Sequence, residues 1–283
     1  MTVLEGIQKS AGFLAKKGVE APRLQAELLL AHALKLPRMQ LYLNFERALA
    51  AAEVDGLREM VRRRGQREPL QHIVGSTSFC GLEIAVNRHA LVPRPETELL
   101  AELGWQFLST INSQPSTALD FGTGSGCIAV ALAAKHPNAT IVALDVSADA
   151  LDLARQNAER HHVSDRIQFL QADGFDALPA GIRFDLAVGN PPYIPTAEIE
   201  TLQPEVRDYD PRGALDGGPD GLNFFRLLAA EARPFLKPDG RIMLEFGDGQ
   251  ADQVRKIFEQ QNWIVEAIRN DYTQRPRILM ARI

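Results

Sequence analysis

The sequence predicts an α/β protein in which a mostly parallel sheet is covered by helices on both faces. Short apolar runs alternate with amphipathic stretches that are long enough for helices, and this alternation is typical of a parallel sheet with crossover helices. Two more apolar runs, 263–268 and 277–283, close the chain, and the connection between them is too short for a crossover helix. We therefore expect these last two strands to be antiparallel neighbours. The five strands predicted before them are 118–121, 141–144, 167–170, 186–188 and 242–246.

The first 75 residues have a different pattern and predict a small all-α domain. Apolar residues recur there at helical spacing, and Pro22 opens a segment at a position where helices tolerate proline. The segment 50–64 also lacks the alternation of a strand, whereas the chain around residues 78–90 looks extended with a turn, as in a connecting hairpin. The predicted organisation is a helical domain at 1–75, a hairpin linker at 76–92 and the sheet domain at 93–283.

Composition excludes several classes of protein. A hydrophobic content of 45% and a charged content of 24% are those of an ordinary globular domain, and no run of about twenty apolar residues is present to span a membrane. Cys80 and Cys127 are far apart, and the histidines have no metal-ligand spacing, so we expect neither a disulfide framework nor a metal site. The N-terminal residues lack the features of a secretory signal, and we expect a cytoplasmic protein.

Charge is distributed unevenly along the chain. Residues 1–75 contain 12 Lys and Arg against 8 Asp and Glu, so this part carries +4 and the remainder carries −9. The basic part ends in the run Arg-Arg-Arg-Gly-Gln-Arg at 62–67. This run is either a solvated helix end or a docking surface for an acidic partner. The net charge of −5 argues against a protein that coats nucleic acid.

A glycine-rich loop follows the first strand of the sheet domain and opens a helix. Glycines there permit a tight turn and let a ligand approach the backbone amides. Asp145 closes the second strand, at the distance where an acid meets a ribose hydroxyl pair, so the two features predict a nucleoside site. The loop alone fits either S-adenosylmethionine or NAD, but an acid at Asp120 favours the former because it can reach the donor's ammonium group directly or through water. The loop reads Asp120-Phe121-Gly122-Thr123-Gly124-Ser125-Gly126.

Asp173 and Gly174 follow the third strand at the same carboxyl edge of the predicted sheet. Ligands of open α/β sheets bind outside the carboxyl ends of the strands. Asp173 is therefore a candidate acceptor for an adenine amino group. The alternative is an Asp-Gly turn that contacts no ligand.

The fourth strand runs into Asn190-Pro191-Pro192-Tyr193. Adjacent prolines lock the backbone and cannot donate hydrogen bonds, so nearby carbonyls can face outward as acceptors, and Asn190 adds a side-chain carbonyl. Two fixed acceptors suit a nitrogen that carries two hydrogens, because holding both N–H bonds aims its lone pair at a methyl donor. We expect Tyr193 to pack against a planar substrate group. The loop predicts methylation of an amide or aromatic amine nitrogen, driven by orientation and electrostatics rather than by a strong base.

Together these segments resemble the HemK/PrmC family of peptide chain release factor glutamine methyltransferases over nearly the whole chain. The most discriminating segment is Pro93-Arg94-Pro95-Glu96-Thr97-Glu98, since Asn-Pro-Pro-Tyr alone is shared with adenine methyltransferases. The resemblance implies a seven-stranded, Rossmann-like S-adenosylmethionine-dependent methyltransferase sheet whose final strand is antiparallel. Other matching segments are 67–73, 120–126, 190–194, 205–207, 214–221, 245–247 and 271–272.

This resemblance implies transfer of a methyl group from S-adenosylmethionine to the side-chain amide of the glutamine in the Gly-Gly-Gln motif of bacterial class 1 release factors, with S-adenosylhomocysteine as product. It implies that Gly122–Gly126, Asp145, Gly174 and Asn190 contact the donor and that 190–193 hold the glutamine. The helical domain would recognise the release factor. We expect a monomer that binds neither nucleic acid stably nor a membrane.

The main alternative is an enzyme that methylates the exocyclic amine of adenine in DNA or RNA. It predicts base flipping and a positively charged channel, which the charge of −9 after residue 75 opposes. An NAD-dependent oxidoreductase and a catalytically silent binding module are further alternatives, although no hydride-transfer constellation accompanies the loop. The roles of three glutamates stay open: Glu96 and Glu98 line the pocket or cap the following helix, and Glu245 serves packing or the site.

Overall fold

The computed structural model describes residues 1–111 and 115–283, and these divide into two compact units. The first unit comprises Met1–Ser76 and Gln203–Tyr209, and the second comprises Thr77–Leu202 and Asp210–Ile283. The helices are α1 (Val3–Lys16), α2 (Pro22–Leu34), α3 (Arg38–Tyr42), α4 (Ala51–Gly65), α5 (Leu70–Val74), α6 (Pro95–Leu108), α7 (Cys127–Lys135), α8 (Ala148–Arg160), α9 (Pro204–Arg207), α10 (Asn223–Glu231) and α11 (Ala251–Gln260). The strands are β1 (Ser76–Phe79), β2 (Leu82–Ala85), β3 (Ser116–Phe121), β4 (Ala139–Asp145), β5 (Ile167–Gln171), β6 (Phe184–Gly189), β7 (Leu236–Glu245), β8 (Ile264–Asn270) and β9 (Pro276–Arg282).

The first unit is helical, as the sequence predicts. Helix α1 begins with a capping box, in which the Thr2 hydroxyl accepts from the Glu5 amide and the Glu5 carboxylate accepts from the Thr2 amide. The apolar faces of the helices meet in one cluster whose largest members include Ile7, Leu14 and Leu29. In the described part of the chain, no helix combines the length and the apolar character needed to cross a membrane.

The basic run at 62–67 is paired within this unit. Each of its four arginines forms an ion pair with a glutamate. Arg64 is buried, and its guanidinium shares the Glu205 carboxylate with that of Arg67, at N–O distances of 2.6 to 2.7 Å. Because these charges are matched locally, charge no longer favours the run as a docking surface for an acidic partner. Glu205 comes from Gln203–Tyr209, a segment that lies in the range predicted for the sheet domain.

The second unit contains the seven-stranded sheet, in the order β5-β4-β3-β6-β7-β9-β8. Strands β3 to β7 pair in parallel, while β9 runs antiparallel to both β7 and β8, which confirms the predicted fold class. The two-stranded sheet of β1 and β2 forms the predicted hairpin. The chain moves outward from β3 to β5 and then returns to β6 on the other side of β3, so a topological switch point lies between β3 and β6.

The sheet is buried on both faces. Along β4, Ile141 and Ala143 pack into one apolar cluster while Val142 and Leu144 pack into the other. This alternation follows from the two-residue period of a strand, and burial of both faces explains why the strands read as continuous apolar runs. Asp120 of β3 pairs with Val188 of β6. The loops that follow these two strands therefore leave the sheet side by side at its carboxyl edge.

Candidate active site

A cavity of about 230 Å³ opens at the carboxyl edge of the sheet, inside the second unit. This volume is many times what one water molecule needs. Loops that follow β3, β4, β5 and β6 form its walls, together with the segment that leads into α6. The residues predicted for the site that line it are Gly122, Thr123, Gly124, Ser125, Asp145, Asp173, Gly174, Asn190, Pro191 and Pro192.

The glycine loop combines open space with one close contact. Gly122 and Gly126 both have left-handed backbones, with φ of +70° and +77°. A Cβ on Gly122 would meet no protein atom within 4 Å, so this part of the wall is open to a ligand. A Cβ on Gly126 would lie 2.8 Å from the Cβ of Ala154 in α8. Gly126 does not belong to the cavity lining, and its place in the motif is explained by this contact with α8.

Asp120 lies behind the lining and holds the glycine loop. One of its carboxylate oxygens accepts from the Thr123 hydroxyl at 2.6 Å and from the Ala129 amide at 3.1 Å. Burial raises the pKa of Asp120 to about 7, although both hydrogen bonds favour the charged form. The other oxygen is buried and has no hydrogen-bond partner among the residues that the structure describes. Asp120 therefore retains one unused acceptor.

Asp145 lies at the end of β4 and faces the cavity. One oxygen accepts from the Gly124 amide at 2.8 Å and the other accepts from the Ser147 amide at 2.9 Å. These bonds fix the carboxylate against the loop. Each oxygen keeps acceptor capacity for a hydroxyl of a ligand.

Asn190 joins the loop after β6 to Thr97, which the sequence did not assign to the site, and through it to Glu245, whose role the sequence left open. Its side-chain Nδ2 donates to the Thr97 hydroxyl at 3.2 Å, and that hydroxyl donates to Glu245 Oε2 at 2.7 Å. Burial raises the pKa of Glu245 to about 7, although Thr97 and Arg277 favour the charged form. Thr97 lines the cavity. In the sequence it lies between Glu96 and Glu98, the two glutamates that were candidates for the site.

Those two glutamates, Glu96 and Glu98, lie outside the lining. Both occupy the first turn of α6, where an acid interacts favourably with the helix dipole. Glu98 also accepts a hydrogen bond from the Cys80 amide at 3.1 Å, which ties α6 to the β1–β2 hairpin.

Tyr193 does not line the cavity, although the three residues before it, Asn190, Pro191 and Pro192, do. Its backbone carbonyl accepts from Gln250 Nε2 at 2.9 Å, and its ring lies beside Gly247. Burial raises the pKa of the Tyr193 hydroxyl to about 12, with Glu245 adding to the effect. The contact between Tyr193 and a planar substrate group stays a prediction.

Other lining residues were missed because their sequence signal is that of an ordinary core or loop. Phe121 and Leu144 end the apolar runs of β3 and β4, and nothing in those runs separates a wall residue from a core residue. Arg94 also lines the cavity and pairs with Asp210 at 2.8 Å. Burial raises the pKa of Asp210 to about 6, against the effect of Arg94.

Comparison with known proteins agrees with the fold. The model of the family described as PrmC N-terminal domain matches residues 5–75, and that of the Methyltransferase small domain matches residues 104–203. A solved methyltransferase from Pyrococcus furiosus shares the fold, with a TM-score of 0.52 and 22% identity over 71% of this chain and 89% of that chain.

Two curated relatives are similar over most of their length. The chain is 46% identical over 261 residues to the release factor glutamine methyltransferase of Geobacter sulfurreducens, which covers 92% of this chain and 89% of the relative. It is 46% identical over 262 residues to the protein of the same description in Chlorobaculum tepidum, covering 90% of this chain and 89% of the relative. Identity of this extent confirms the resemblance seen in the sequence, and the chain belongs to the release factor glutamine methyltransferase family.

Proposed function

We propose that this protein transfers a methyl group from S-adenosylmethionine to the side-chain amide of the glutamine in the Gly-Gly-Gln motif of bacterial class 1 release factors. The observation that carries the proposal is the meeting of two loops in one cavity: the glycine loop with Asp145, and the loop that begins at Asn190. The first suits a nucleoside and the second suits a planar nitrogen. Membership of the family supports the glutamine as the substrate.

The chemistry of the lining fits S-adenosylmethionine. Asp145 would accept from two ribose hydroxyls, and Asp173 with Gly174 would offer an edge for the adenine, since all three line the cavity. Behind the lining, the oxygen of Asp120 that has no hydrogen-bond partner in the described residues suits the ammonium end of the amino acid, reached directly or through water. When bound, S-adenosylmethionine supplies an electrophilic methyl group on a sulfonium sulfur.

The Asn190 loop would prepare the nitrogen for attack. The carbonyl oxygen of Asn190 and a backbone carbonyl of the loop would each accept one N–H of the glutamine amide. The nitrogen lone pair then forms a bond to the methyl carbon as the carbon–sulfur bond breaks, and the electrons of that bond stay on sulfur. The nitrogen next releases one proton to water, which leaves an N-methyl amide. No base is needed before attack, because the nitrogen becomes acidic only as the methyl group arrives.

The helical unit is proposed to bind the release factor. With its arginine run already paired to glutamates, binding there would depend on shape and apolar contact more than on excess positive charge. The catalytic role is assigned to 93–283, and the protein is proposed to act as a monomer.

Mass spectrometry of a release factor after incubation with enzyme and S-adenosylmethionine tests this proposal. We expect one added methyl group on the peptide that carries Gly-Gly-Gln, and none when that glutamine is replaced by glutamate. Duplex DNA and a structured RNA are assayed in parallel with labelled donor. Transfer to nucleic acid and not to the release factor would overturn the proposal.

A further inference from the structure

Thr97 and Glu245 lie behind Asn190 and form a hydrogen-bonded chain that ends on its side-chain amide. The three residues come from α6, the end of β7 and the loop after β6. We propose that Thr97 and Glu245 are positioning residues, which turn the Asn190 amide so that its carbonyl oxygen faces the cavity and accepts an N–H of the glutamine. This inference rests on the proposed function and adds two residues to its machinery.

The donor and acceptor at each step of the hydrogen-bonded chain from Asn190 through Thr97 to Glu245 follow from a count of protons. The Thr97 hydroxyl has one proton, and it donates that proton to the Glu245 carboxylate. Its oxygen is left with lone pairs only, so it must accept from whichever end of the Asn190 amide faces it. That end is the NH₂ group, which donates at 3.2 Å. The carbonyl oxygen therefore lies on the opposite side of the amide.

An inverted amide would fail at both ends. Its oxygen would meet the lone pairs of the Thr97 hydroxyl, and its N–H groups would meet the N–H groups of the substrate amide. Thr97 is 3% exposed and Glu245 is 1% exposed, so both side chains depend mainly on protein partners for their hydrogen bonds. The buried carboxylate thereby determines which end of Asn190 the substrate meets.

Protonation of Glu245 would remove this control. A neutral carboxyl group can donate to Thr97, and the Thr97 proton is then free to turn toward the Asn190 amide. The charged and titratable groups that face Glu245 are Arg277 of β9, Glu96 of α6 and Tyr193 of the loop. Arg277 favours the carboxylate, whereas Glu96 opposes it. Burial raises the pKa of Glu245 to about 7, so the charged form is lost as the pH falls through that value.

Steady-state kinetics of three variants on a release factor test the inference. Thr97→Val keeps the shape of the side chain and removes its hydroxyl, and we expect kcat to fall roughly tenfold to a hundredfold, the range known for groups that orient the ligands of a metal ion. Thr97→Ser keeps the hydroxyl and should stay within about threefold of the wild type. Glu245→Gln should lower kcat in the same range, because a carboxamide at this position no longer fixes the direction of the chain. Donor affinity, measured by calorimetry, should be unchanged in Thr97→Val.

The pH profile separates positioning from a structural role. With both substrates saturating, the wild-type kcat should fall as the pH is lowered through about 7. Thr97→Val should show a much weaker acid limb, because only the direct hydrogen bond between Asn190 and Glu245 then carries the state of Glu245 to the amide. A Thr97→Val enzyme that keeps the wild-type acid limb would overturn the inference.

Thr117→Val is the matched control. The Thr117 hydroxyl donates to Asp185 at 3.0 Å in the same sheet, but Thr117 lies near the start of β3 and outside the cavity lining. We expect a lower melting temperature with unchanged kcat. Full kcat in Thr97→Val, with an active wild type, would overturn this inference alone. A wild-type enzyme that leaves the glutamine unmodified would overturn the proposed function and the inference with it.

Discussion

Arg64 and Glu205, which are 141 residues apart in the sequence, form an ion pair with an N–O distance of 2.6 Å. The Arg64 side chain is 4% exposed and that of Glu205 is 16% exposed. Arg67 binds the second oxygen of Glu205, also at 2.6 Å, so one carboxylate partners two guanidinium groups. The pair attaches Gln203–Tyr209 to the end of α4, and the Tyr209 hydroxyl adds a hydrogen bond to the Gln66 carbonyl.

Glu205→Ala is expected to lower the free energy of unfolding by about 3 kcal/mol at neutral pH. The substitution leaves Arg64 buried without its charged partner, and such a loss typically costs about 3 to 5 kcal/mol. The partial exposure of Glu205 places the expected value at the lower end. Urea denaturation of the variant and the wild type measures the difference.

The ion pair of Arg64 and Glu205 also predicts that the free energy of unfolding depends on pH. Burial alone would raise the pKa of Glu205, but hydrogen bonds from Arg67 and Arg64 outweigh it and hold the pKa below its ordinary value of 4.5. The stabilisation is therefore complete above pH 4.5 and is lost as the pH falls through the lowered pKa. Asp55→Ala, which breaks an exposed pair with Arg58, is the control and should change stability by less than about 1 kcal/mol. Equal losses in the two variants would contradict the prediction.

Features of the site that depend on neighbouring residues in the sequence could be predicted, and those that depend on distant residues could not. The strands, the glycine loop and the Asn190 loop are local patterns, and the rule that ligands bind at the carboxyl edge brings them together. The bond between Thr97 and Glu245 joins residues 148 apart, and no spacing in a single sequence reports such a contact. The place of the Tyr193 ring beside Gly247 was equally unpredictable, because the two residues are 54 positions apart in the sequence.

Asn190→Ala is expected to reduce methyl transfer at least about a hundredfold, the loss typical when one fixed hydrogen-bonding group is removed from a catalytic site. The donor should still bind at reduced strength, because the glycine loop and Asp145 are untouched. Single-turnover assays with a release factor measure the first quantity, and calorimetry measures the second. Asn138→Ala, an exposed change between α7 and β4, should leave both unchanged. Normal turnover by Asn190→Ala would show that the amide does not hold the substrate nitrogen.

Gly126→Ala is expected to destabilise the protein by roughly 2 to 5 kcal/mol. The left-handed backbone costs an alanine about 1 to 2 kcal/mol, and the contact at 2.8 Å with the Cβ of Ala154 adds a cost of about 1 to 3 kcal/mol. Gly181→Ala isolates the first contribution, because Gly181 has φ of +81° and its Cβ would meet nothing within 4 Å. Urea denaturation compares the two variants, and equal losses would show that α8 yields to the added methyl group.

Because the pKa of Asp120 is raised, we expect the donor-free protein to become less stable as the pH rises from about 5 to about 7. Burial raises the pKa of Asp120 to about 7, from an ordinary value of 3.8, so in this range the folded protein holds a proton that the unfolded chain has released. Glu245, with its pKa also raised to about 7, contributes with the same sign. Asp120→Asn should therefore make the slope of unfolding free energy against pH less steep, by up to about 1.4 kcal/mol per pH unit. Asp165→Asn, at a side chain that is 80% exposed, should leave the slope unchanged. Chemical denaturation across this range measures the slopes, and a wild-type slope in Asp120→Asn would show that the proton is held elsewhere.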